Sequence, residues 1–159
     1  MIQGGFATTT ACHPGPTVIR ILNTTSKRDR ARVLVAEDVP PFLERIVDLL
    51  SREFSVVGAV TNGAELLDAV TSLQPDVVVA DIYMPVMNGL EAAMQIRGHG
   101  SQVAIVYMTA HHERELLEAA RKTGALGYVT KPSLARDLVP AIRAALEGRQ
   151  FVSDSALTN

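Results

Sequence analysis

The chain has 159 residues, of which 47% are hydrophobic and 20% charged, and its formal net charge is −2. This length and balance fit one globular domain of about 150 residues and exclude a collagen, a coiled coil and a fully disordered chain. The aromatic residues, four Phe and three Tyr, are too few for a nucleic-acid stacking platform, the single cysteine excludes an intrachain disulfide and a cysteine zinc site, and no apolar run approaches the roughly 20 residues of a membrane span.

Residues 1–32 differ from the rest of the chain in composition and charge. They are rich in Thr, Gly and Pro, and they contain five basic residues and one acidic residue (Arg20, Lys27, Arg28, Arg30 and Arg32 against Asp29). This predicts a largely disordered basic arm, which is either a solvated leader or a contact for the phosphates of a nucleic acid or a membrane. The first Lys or Arg is Arg20, so the start does not resemble a secretory signal. With the single cysteine, this predicts a cytoplasmic protein with no membrane partner.

Residues 33–147 alternate short apolar runs with amphipathic stretches. The apolar runs predict strands at 33–36, 55–60, 76–81, 103–108 and 126–129. The amphipathic stretches predict helices at 40–52, 63–73, 90–98, 111–122 and 133–148. Gly124 predicts a left-handed C-cap for the fourth helix. Pro140 predicts a kink or a restart in the fifth helix, because proline removes a helical hydrogen bond.

Five strands that alternate with five helices predict an α/β fold. Right-handed crossovers then favour a doubly wound, five-stranded parallel sheet with strand order 2-1-3-4-5. The run at 76–81 is apolar on both faces, which is typical of a central strand. In such a sheet the functional groups lie beyond the carboxyl ends of the strands.

Polar residues follow four of the predicted strands: Glu37 and Asp38, Asp81, Thr109, and Lys131. We expect them to converge at one edge of the sheet. Three carboxylates in one place repel unless a cation intervenes, and oxygen ligands without His or Cys favour Mg²⁺. A carboxylate can accept a phosphoryl group. The charge of that group would be met by Mg²⁺, the Lys131 ammonium and the Thr109 hydroxyl.

These residues belong to four motifs that together resemble the response-regulator receiver domain of two-component signalling. The motifs are Glu37-Asp38 after VLVA, DIYMPVMNG at 81–89, Thr109-Ala110, and GYVTKP at 127–132. The resemblance covers residues 33–147 and implies a flavodoxin-like (βα)5 domain. One departure is Glu37, because the family more commonly has an aspartate at this position.

The resemblance implies that Asp81 is the phosphoacceptor. Lys131 and Thr109 would contact the phosphoryl group, and Tyr128 would be an aromatic switch that turns inward as Thr109 moves. The donor would be a sensor histidine kinase or a phosphotransfer protein. The switched surface would be formed by the fourth helix, the fifth strand and the fifth helix. Such a domain is not an enzyme in the usual sense, although it catalyses its own phosphorylation and slow dephosphorylation.

The resemblance also implies Mg²⁺ as the cofactor. Its ligands would be Asp38, Asp81 and the backbone carbonyl of Tyr83. Glu37 would assist directly or through water, and its longer side chain leaves the contact open. The alternative for Glu37 is a solvated carboxylate on the rim of the site, since glutamate is seldom buried.

Residues 148–159 are interpreted as the start of a linker or a tail. The sequence AIRAALEGRQFVS, at 141–153, resembles the end of receivers in nitrate-response class regulators, which continue into a DNA-binding helix-turn-helix. The expected output is therefore transcription, through a DNA-binding domain that these residues do not contain, with no direct DNA binding by this chain. A phosphorylation-dependent homodimer is compatible with this interpretation. The alternatives are a stand-alone receiver and a phosphorylation-independent binding module, both acting by protein contact.

Two other classes share part of this pattern. A flavin electron carrier can have the same strand order, but its first loop should be rich in Ser, Thr or Gly to hold a phosphate, and here the loop is AEDVPP. A phosphohydrolase with a carboxylate nucleophile needs two aspartates that flank one position after the first strand. Glu37 and Asp38 are adjacent instead, so both classes are disfavoured.

Overall fold

The structure, a computed structural model, describes residues 30–111 and 113–158. The predicted basic arm lies outside the described residues except for its last three positions, so its predicted disorder stays a prediction. Across the two described ranges, every helix is too short or too polar to cross a membrane.

The described residues form one parallel sheet with helices on both faces. The strands are β1 (Arg32–Ala36), β2 (Ser55–Val60), β3 (Val77–Asp81), β4 (Ala104–Thr109), β5 (Gly127–Thr130) and β6 (Phe151–Val152). The helices are α1 (Pro40–Ser51), α2 (Gly63–Leu73), α3 (Gly89–Gly98), α4 (Arg114–Lys122), α5 (Leu134–Leu146) and α6 (Asp154–Leu157), and Lys131–Ser133 form a 3₁₀ turn before α5. The sheet order is β2-β1-β3-β4-β5-β6. The predicted α/β class and the order of the first five strands are confirmed, and β6 extends the sheet by one strand.

Two apolar layers enclose the sheet because side chains alternate along each strand. Val33 and Val79 pack with α1 and α5 on one face. Leu34 and Val78 pack with α2, α3 and α4 on the other face. Every residue of β3 is buried, as predicted for the central strand. The core therefore fixes the direction and the level of the strand ends.

The strand register brings the carboxyl ends of the strands to one edge. Ala36 pairs with Ala80, Asp81 with Met108, and Thr109 with Thr130. Each strand end is thus held against the end of its neighbour. The residues that follow the strands are placed side by side, as the parallel topology predicted.

The ends of α4 agree only in part with the predicted limits. The helix begins at Arg114, and its N-cap residue Glu113 makes no side-chain capping bond. His111 therefore belongs to the loop between β4 and α4 and not to the helix that was predicted to start there. Gly124 follows the helix with φ +76, which confirms the predicted left-handed cap, a conformation that costs glycine little.

The helix α5 continues through Pro140 without the predicted restart. Pro140 and Arg136 are both exposed, so water can reach the Arg136 carbonyl that loses its hydrogen bond to the proline. Ser133 precedes α5, but its hydroxyl makes no capping bond and lies instead 3.3 Å from Ser155 Oγ. After α5, the stretch interpreted as a linker or tail forms β6 and α6 on the sheet.

Candidate functional site

Asp81 is the last residue of β3, and the loop after it fixes its position. The Gly89 N–H donates to the Ile82 carbonyl at 2.8 Å. A Cβ at Gly89 would lie 2.3 Å from the Asp81 carbonyl oxygen, so only glycine allows this close approach. Asn88 then caps α3 and forms a capping box with Glu91. The motif at 81–89 therefore holds the Asp81 carboxylate at the edge of the sheet.

Three carboxylates meet at this edge. One oxygen from each of Glu37, Asp38 and Asp81 lies within 4.8 Å of the others. Glu37 continues β1, because its N–H donates to the Val60 carbonyl at 3.0 Å. Its side chain is fully buried, which excludes the solvated carboxylate considered for it. Burial raises the pKa of Glu37 despite the opposing effect of Lys131, and the charge of Asp81 raises it further.

Lys131 is the cation that faces these carboxylates. It begins the turn after β5, and its Nζ lies 2.8 Å from Asp81 Oδ2 and 2.8 Å from Glu37 Oε2. Burial by itself lowers the pKa of Lys131, but the hydrogen bond to Asp81 and the attraction of Glu37 outweigh burial and raise it. The side chain is therefore charged at neutral pH. One ammonium thus faces three carboxylates.

The carboxylates of Glu37, Asp38 and Asp81 are called here the acidic cluster. Their oxygen atoms fit a hard divalent cation. Glu37 Oε1 accepts the Val39 N–H at 3.1 Å. Glu37 Oε2 is buried and is paired with the Lys131 ammonium at 2.8 Å. One oxygen from each of Glu37, Asp38 and Asp81 can approach a common point, since these atoms lie within 4.8 Å of one another, and ligands that are all oxygen suit Mg²⁺. The residues present fit the predicted cofactor, and Mg²⁺ itself stays a prediction.

Thr109 and Tyr128 are connected through one loop residue, His111. Thr109 is fully buried at the end of β4, and its Oγ1 accepts the His111 N–H at 3.0 Å. The Tyr128 hydroxyl donates to the His111 carbonyl at 3.1 Å. The Tyr128 ring is 2% exposed and already lies inward in this structure. Burial raises the pKa of Tyr128 to about 12.

Exposed apolar and aromatic side chains lie in the two loops and the helical turn that follow the three carboxylates in the chain. Val39, Phe42, Tyr83 and Val86 are between 36% and 84% exposed. The Tyr83 ring packs edge-on against His111, with 5.0 Å between the ring centroids. Sequence analysis considered only the backbone carbonyl of Tyr83, whereas its side chain forms part of the entrance to the site. These four exposed side chains are called here the apolar rim.

Phe42 is a site contact that sequence reasoning missed. Its ring lies in the first turn of α1, and the Lys131 Nζ is 4.7 Å from the ring centroid, within the range of a cation–π interaction. The contact helps to hold the ammonium over the carboxylates. No local pattern points to this contact, because Phe42 and Lys131 are distant in the sequence and are brought together by the fold.

Comparisons with known proteins point to one family. The family model described as the response regulator receiver domain matches residues 33–143. The transcriptional regulatory protein PdtaR of Mycobacterium tuberculosis is 37% identical over 117 residues, which cover 72% of this chain and 56% of the relative. The chain spans little more than half of the length of the curated relatives it matches, between 56% and 65% for those most similar.

Solved structures give the same result. The signal receiver domain of NarL from Mycobacterium tuberculosis superposes with a TM-score of 0.72 at 32% identity, covering 76% of this chain and 98% of that one. A LuxR-family two-component response regulator from Aurantimonas superposes with a TM-score of 0.77 at 32% identity, covering 80% and 93%. The residues matched by the family model include Glu37, Asp38 and Asp81.

Proposed function

The chain belongs to the response-regulator receiver family, and on that premise we propose that Asp81 accepts a phosphoryl group from the phosphohistidine of a sensor kinase or a phosphotransfer protein. The observation that carries the proposal is the environment of one carboxylate. Asp81 Oδ2 lies 2.8 Å from the Lys131 ammonium, and two further carboxylates lie within 4.8 Å. This arrangement suits a dianionic group bound with a divalent cation.

The proposed step is a nucleophilic displacement at phosphorus. An oxygen of Asp81 forms the new P–O bond while the P–N bond to the donor imidazole breaks. The electron pair of that bond stays on the imidazole nitrogen, which takes up a proton from solvent. The Tyr83 N–H donates to Asp81 Oδ1 at 3.2 Å and Lys131 binds Oδ2. These two partners fix the orientation of the nucleophile before the donor arrives.

The acidic cluster is the proposed holder of Mg²⁺. Asp38, Asp81 and the Tyr83 carbonyl would bind it, with Glu37 directly or through water. When bound, the ion supplies positive charge to the phosphoryl oxygens. The support for this assignment is the donor set described above, in which one oxygen from each of three carboxylates lies within 4.8 Å of the others.

The proposed response begins with the charge of the new group, roughly −1.5 to −2 at neutral pH. The Lys131 ammonium and the Thr109 hydroxyl would turn toward the phosphoryl oxygens. Because His111 bonds both Thr109 and Tyr128, a shift of Thr109 would reach β5. The surface of α4, β5 and α5 would then change between two arrangements that differ in population.

The proposed partner surface is the apolar rim around the acidic cluster. Val86 is 84% exposed and Tyr83 51% exposed, and exposed apolar groups around a polar centre are typical of a protein interface. A docked kinase or phosphotransfer domain would cover these side chains and exclude water from the reacting atoms.

We propose that the signal is read out as transcription in the cytoplasm. PdtaR is named a transcriptional regulatory protein, and control of genes is proposed here for the longer kind of protein to which such a domain belongs. A phosphorylation-dependent homodimer is part of this proposal. The domain would modify its own aspartate and not turn over a separate substrate, so we assign it as a signalling switch and not as an enzyme.

Intact mass measured after incubation with acetyl phosphate and Mg²⁺ tests the proposal. We expect a gain of one phosphoryl group, about 80 Da, in the wild type and none in Asp81→Asn. Asp76→Asn is the matched control, because Asp76 precedes the same strand at its other end and accepts the Arg32 N–H at 2.7 Å. Removing Mg²⁺ with a chelator should abolish the gain. Retention of the gain in Asp81→Asn would overturn the assignment.

A further inference from the structure

Residues 151–157, called here the C-terminal segment, lie along the outer edge of β5. The Phe151 N–H donates to the Leu126 carbonyl at 2.8 Å, and the Ser153 N–H donates to the Tyr128 carbonyl at 2.9 Å. The helix α6 then contacts both α4 and β5, and its residue Ala156 is buried. The segment therefore covers part of the surface that the proposed switch would change.

Side-chain hydroxyls anchor this segment to the turn between β5 and α5. Ser153 is fully buried, and its hydroxyl donates to Asp137 Oδ2 at 2.6 Å. Ser155 Oγ lies 2.6 Å from Thr130 Oγ1 and 3.3 Å from Ser133 Oγ. Thr130 precedes the three-residue turn and Ser133 is its last residue, so Ser155 is anchored at both ends of the turn.

That turn also carries the cation of the phosphorylation site. Lys131 follows Thr130 directly, and its ammonium occupies the space beside Asp81 Oδ2 at 2.8 Å. A phosphoryl group on Asp81 brings its oxygens to this place, so the ammonium must move to meet them. Thr130 and Ser133 bracket Lys131, so a movement of the Lys131 backbone would displace both residues that bond Ser155.

Tyr128 makes a second connection between the site and the segment. Its carbonyl accepts the Ser153 N–H at 2.9 Å, while its hydroxyl donates to the His111 carbonyl at 3.1 Å. His111 in turn donates its N–H to Thr109 Oγ1 at 3.0 Å. Both groups expected to bind the phosphoryl oxygens, on Thr109 and Lys131, are therefore linked to residues that hold the segment.

We propose that the C-terminal segment is a releasable output element, docked on β5 while Asp81 is unphosphorylated and released when Asp81 is phosphorylated. This inference rests on the proposed function of Asp81. The two hydroxyl anchors at 2.6 Å are intact while Lys131 is in its present position. Small displacements of the turn would break such hydrogen bonds. Release uncovers the edge of β5 and the flank of α4.

The segment is built so that it can be released without unfolding the domain. β6 has two residues and α6 has four, and a single helical turn is not stable in isolation. Docking therefore depends on contacts with the rest of the domain, namely the backbone bonds to β5, the hydroxyl anchors and the packing of Phe151, Val152 and Ala156. Local opening of such a unit requires less free energy than opening of the core strands.

Hydrogen–deuterium exchange read by mass spectrometry tests the release. The protein is labelled with and without acetyl phosphate and Mg²⁺, and intact mass on the same samples gives the phosphorylated fraction. We expect the amides of the C-terminal segment to exchange at least about tenfold faster in the phosphorylated protein. Acetyl phosphate should leave exchange unchanged in Asp81→Asn. Peptides from β1 provide an internal reference within the core of the sheet.

Two hydroxyl variants separate release from general loosening. Ser155→Ala removes the anchor to Thr130 and Ser133, and the segment should exchange faster even without phosphate. Thr158→Ala is the matched control, since its hydroxyl donates to the Asp154 carbonyl and not to the turn. Coupling between two equilibria is reciprocal. Ser155→Ala should therefore bind beryllofluoride, an analogue of the phosphoryl group, severalfold more tightly in the presence of Mg²⁺, and Thr158→Ala should bind it like the wild type.

The possible outcomes are separable. A gain of mass with unchanged exchange in the segment overturns this inference and leaves the proposed function intact. Absence of any gain of mass overturns both. Equal beryllofluoride affinity in Ser155→Ala and the wild type would show that the anchor is merely structural and would also overturn the inference. Faster exchange confined to the segment, together with tighter binding in Ser155→Ala, supports it.

Discussion

The two ends of the sheet hold their charged groups in opposite ways. At the amino ends of the strands, the Arg97 guanidinium donates to four backbone carbonyls at 2.8–3.4 Å, those of Ser101, Val103, Thr123 and Gly124. At the carboxyl ends, three carboxylates face the ammonium of Lys131. The first end is satisfied by the protein itself, whereas the second lacks positive charge. This contrast supports the proposal that an external cation and a charged group bind at the carboxyl ends of the strands.

Two neighbouring tyrosines repeat the contrast within the core. Tyr107 and Tyr128 pair in the register of β4 and β5. The Tyr107 hydroxyl lies 2.9 Å from Thr123 Oγ1, at the end of α4, while the Tyr128 hydroxyl reaches His111 in the loop beside the site. One ring therefore joins structural elements, and the other joins the core to a loop that is expected to move.

The largest expected effect comes from removing the Arg97 guanidinium. Arg97→Met leaves four carbonyls without their donor, and we expect it to lower the free energy of unfolding by about 2–3 kcal/mol. Urea unfolding monitored by circular dichroism measures the change. Phosphorylation of Asp81 by acetyl phosphate should keep its rate, because Arg97 belongs to the other end of the sheet.

Lys122→Met is the control for this change, since Lys122 is an exposed basic residue in α4. It should change the free energy of unfolding by less than about 0.5 kcal/mol. A large loss of phosphorylation in Arg97→Met would show that the two ends of the sheet are coupled and would break the comparison.

Asp81→Asn should have the opposite sign. It removes one of three crowded carboxylates, so the metal-free variant should be more stable than the wild type by about 1 kcal/mol. Added Mg²⁺ should stabilise the wild type by binding the folded state and should stabilise the variant much less. Thermal unfolding with and without Mg²⁺ measures both effects. Asp76 lies at the amino end of β3. Asp76→Asn should instead be less stable than the wild type, because it weakens the bond to the Arg32 N–H.

The fold and the edge that carries the polar residues could be predicted because their signals are local. The β3 stretch is apolar on both faces and ends in Asp81, so its central place and the position of its carboxylate follow from pattern and topology. Thr109 and Lys131 come directly after strands for the same reason. The structure brings these side chains to one edge, while their roles in phosphoryl transfer stay predictions.

The features that could not be predicted depend on contacts between distant residues. A strand of two residues has no alternation to detect, and β6 exists because the carbonyls of Leu126 and Tyr128 accept its N–H groups. The continuity of α5 at Pro140 depends on burial of Leu138 and Ile142, both fully buried against the sheet. Packing of that face outweighs the local preference of proline to end a helix.

The two tyrosines should separate stability from signalling. Tyr107→Phe removes a buried hydrogen bond and should cost about 1 kcal/mol without changing phosphorylation. Tyr128→Phe should cost less, because its partner is a loop carbonyl, and should change the rate at which Asp81 is phosphorylated or loses its phosphate. Urea unfolding and time courses of intact mass measure these effects. Equal loss of stability with no change in either time course would contradict the separate roles.

The tyrosines also predict an alkaline limit of stability. Burial raises the pKa of both hydroxyls from 10.0 to about 12. A phenol with a raised pKa in the folded state contributes stability that is complete below pH 10 and is lost as the pH rises through 12. The free energy of unfolding of the wild type should therefore fall as the pH rises over this range. In each Phe variant the fall should be smaller.

The smallest expected effect concerns backbone strain at the two ends. Among residues 30–111 and 113–158, the non-glycine residues with positive φ are Gln74, with φ 49, and Val86, with φ 70. Gln74 is the C-cap of α2 and lies at the edge of the sheet where the strands begin. Its side-chain amide donates to the Thr71 carbonyl at 3.0 Å. Val86 lies in the loop between β3 and α3, is β-branched and is 84% exposed, so its side chain has little packing to offset the strain.

Val86→Asn should therefore stabilise the protein by about 0.5–1 kcal/mol, because asparagine tolerates the left-handed conformation and little packing is lost. Denaturant unfolding measures the gain, and Gln74→Asn is the matched control in which little change is expected. If the exposed valine serves the partner surface, transfer from a phosphohistidine donor should slow in Val86→Asn while labelling by acetyl phosphate keeps its rate. Equal rates with both donors would mean that the strain at the carboxyl end has no part in recognition.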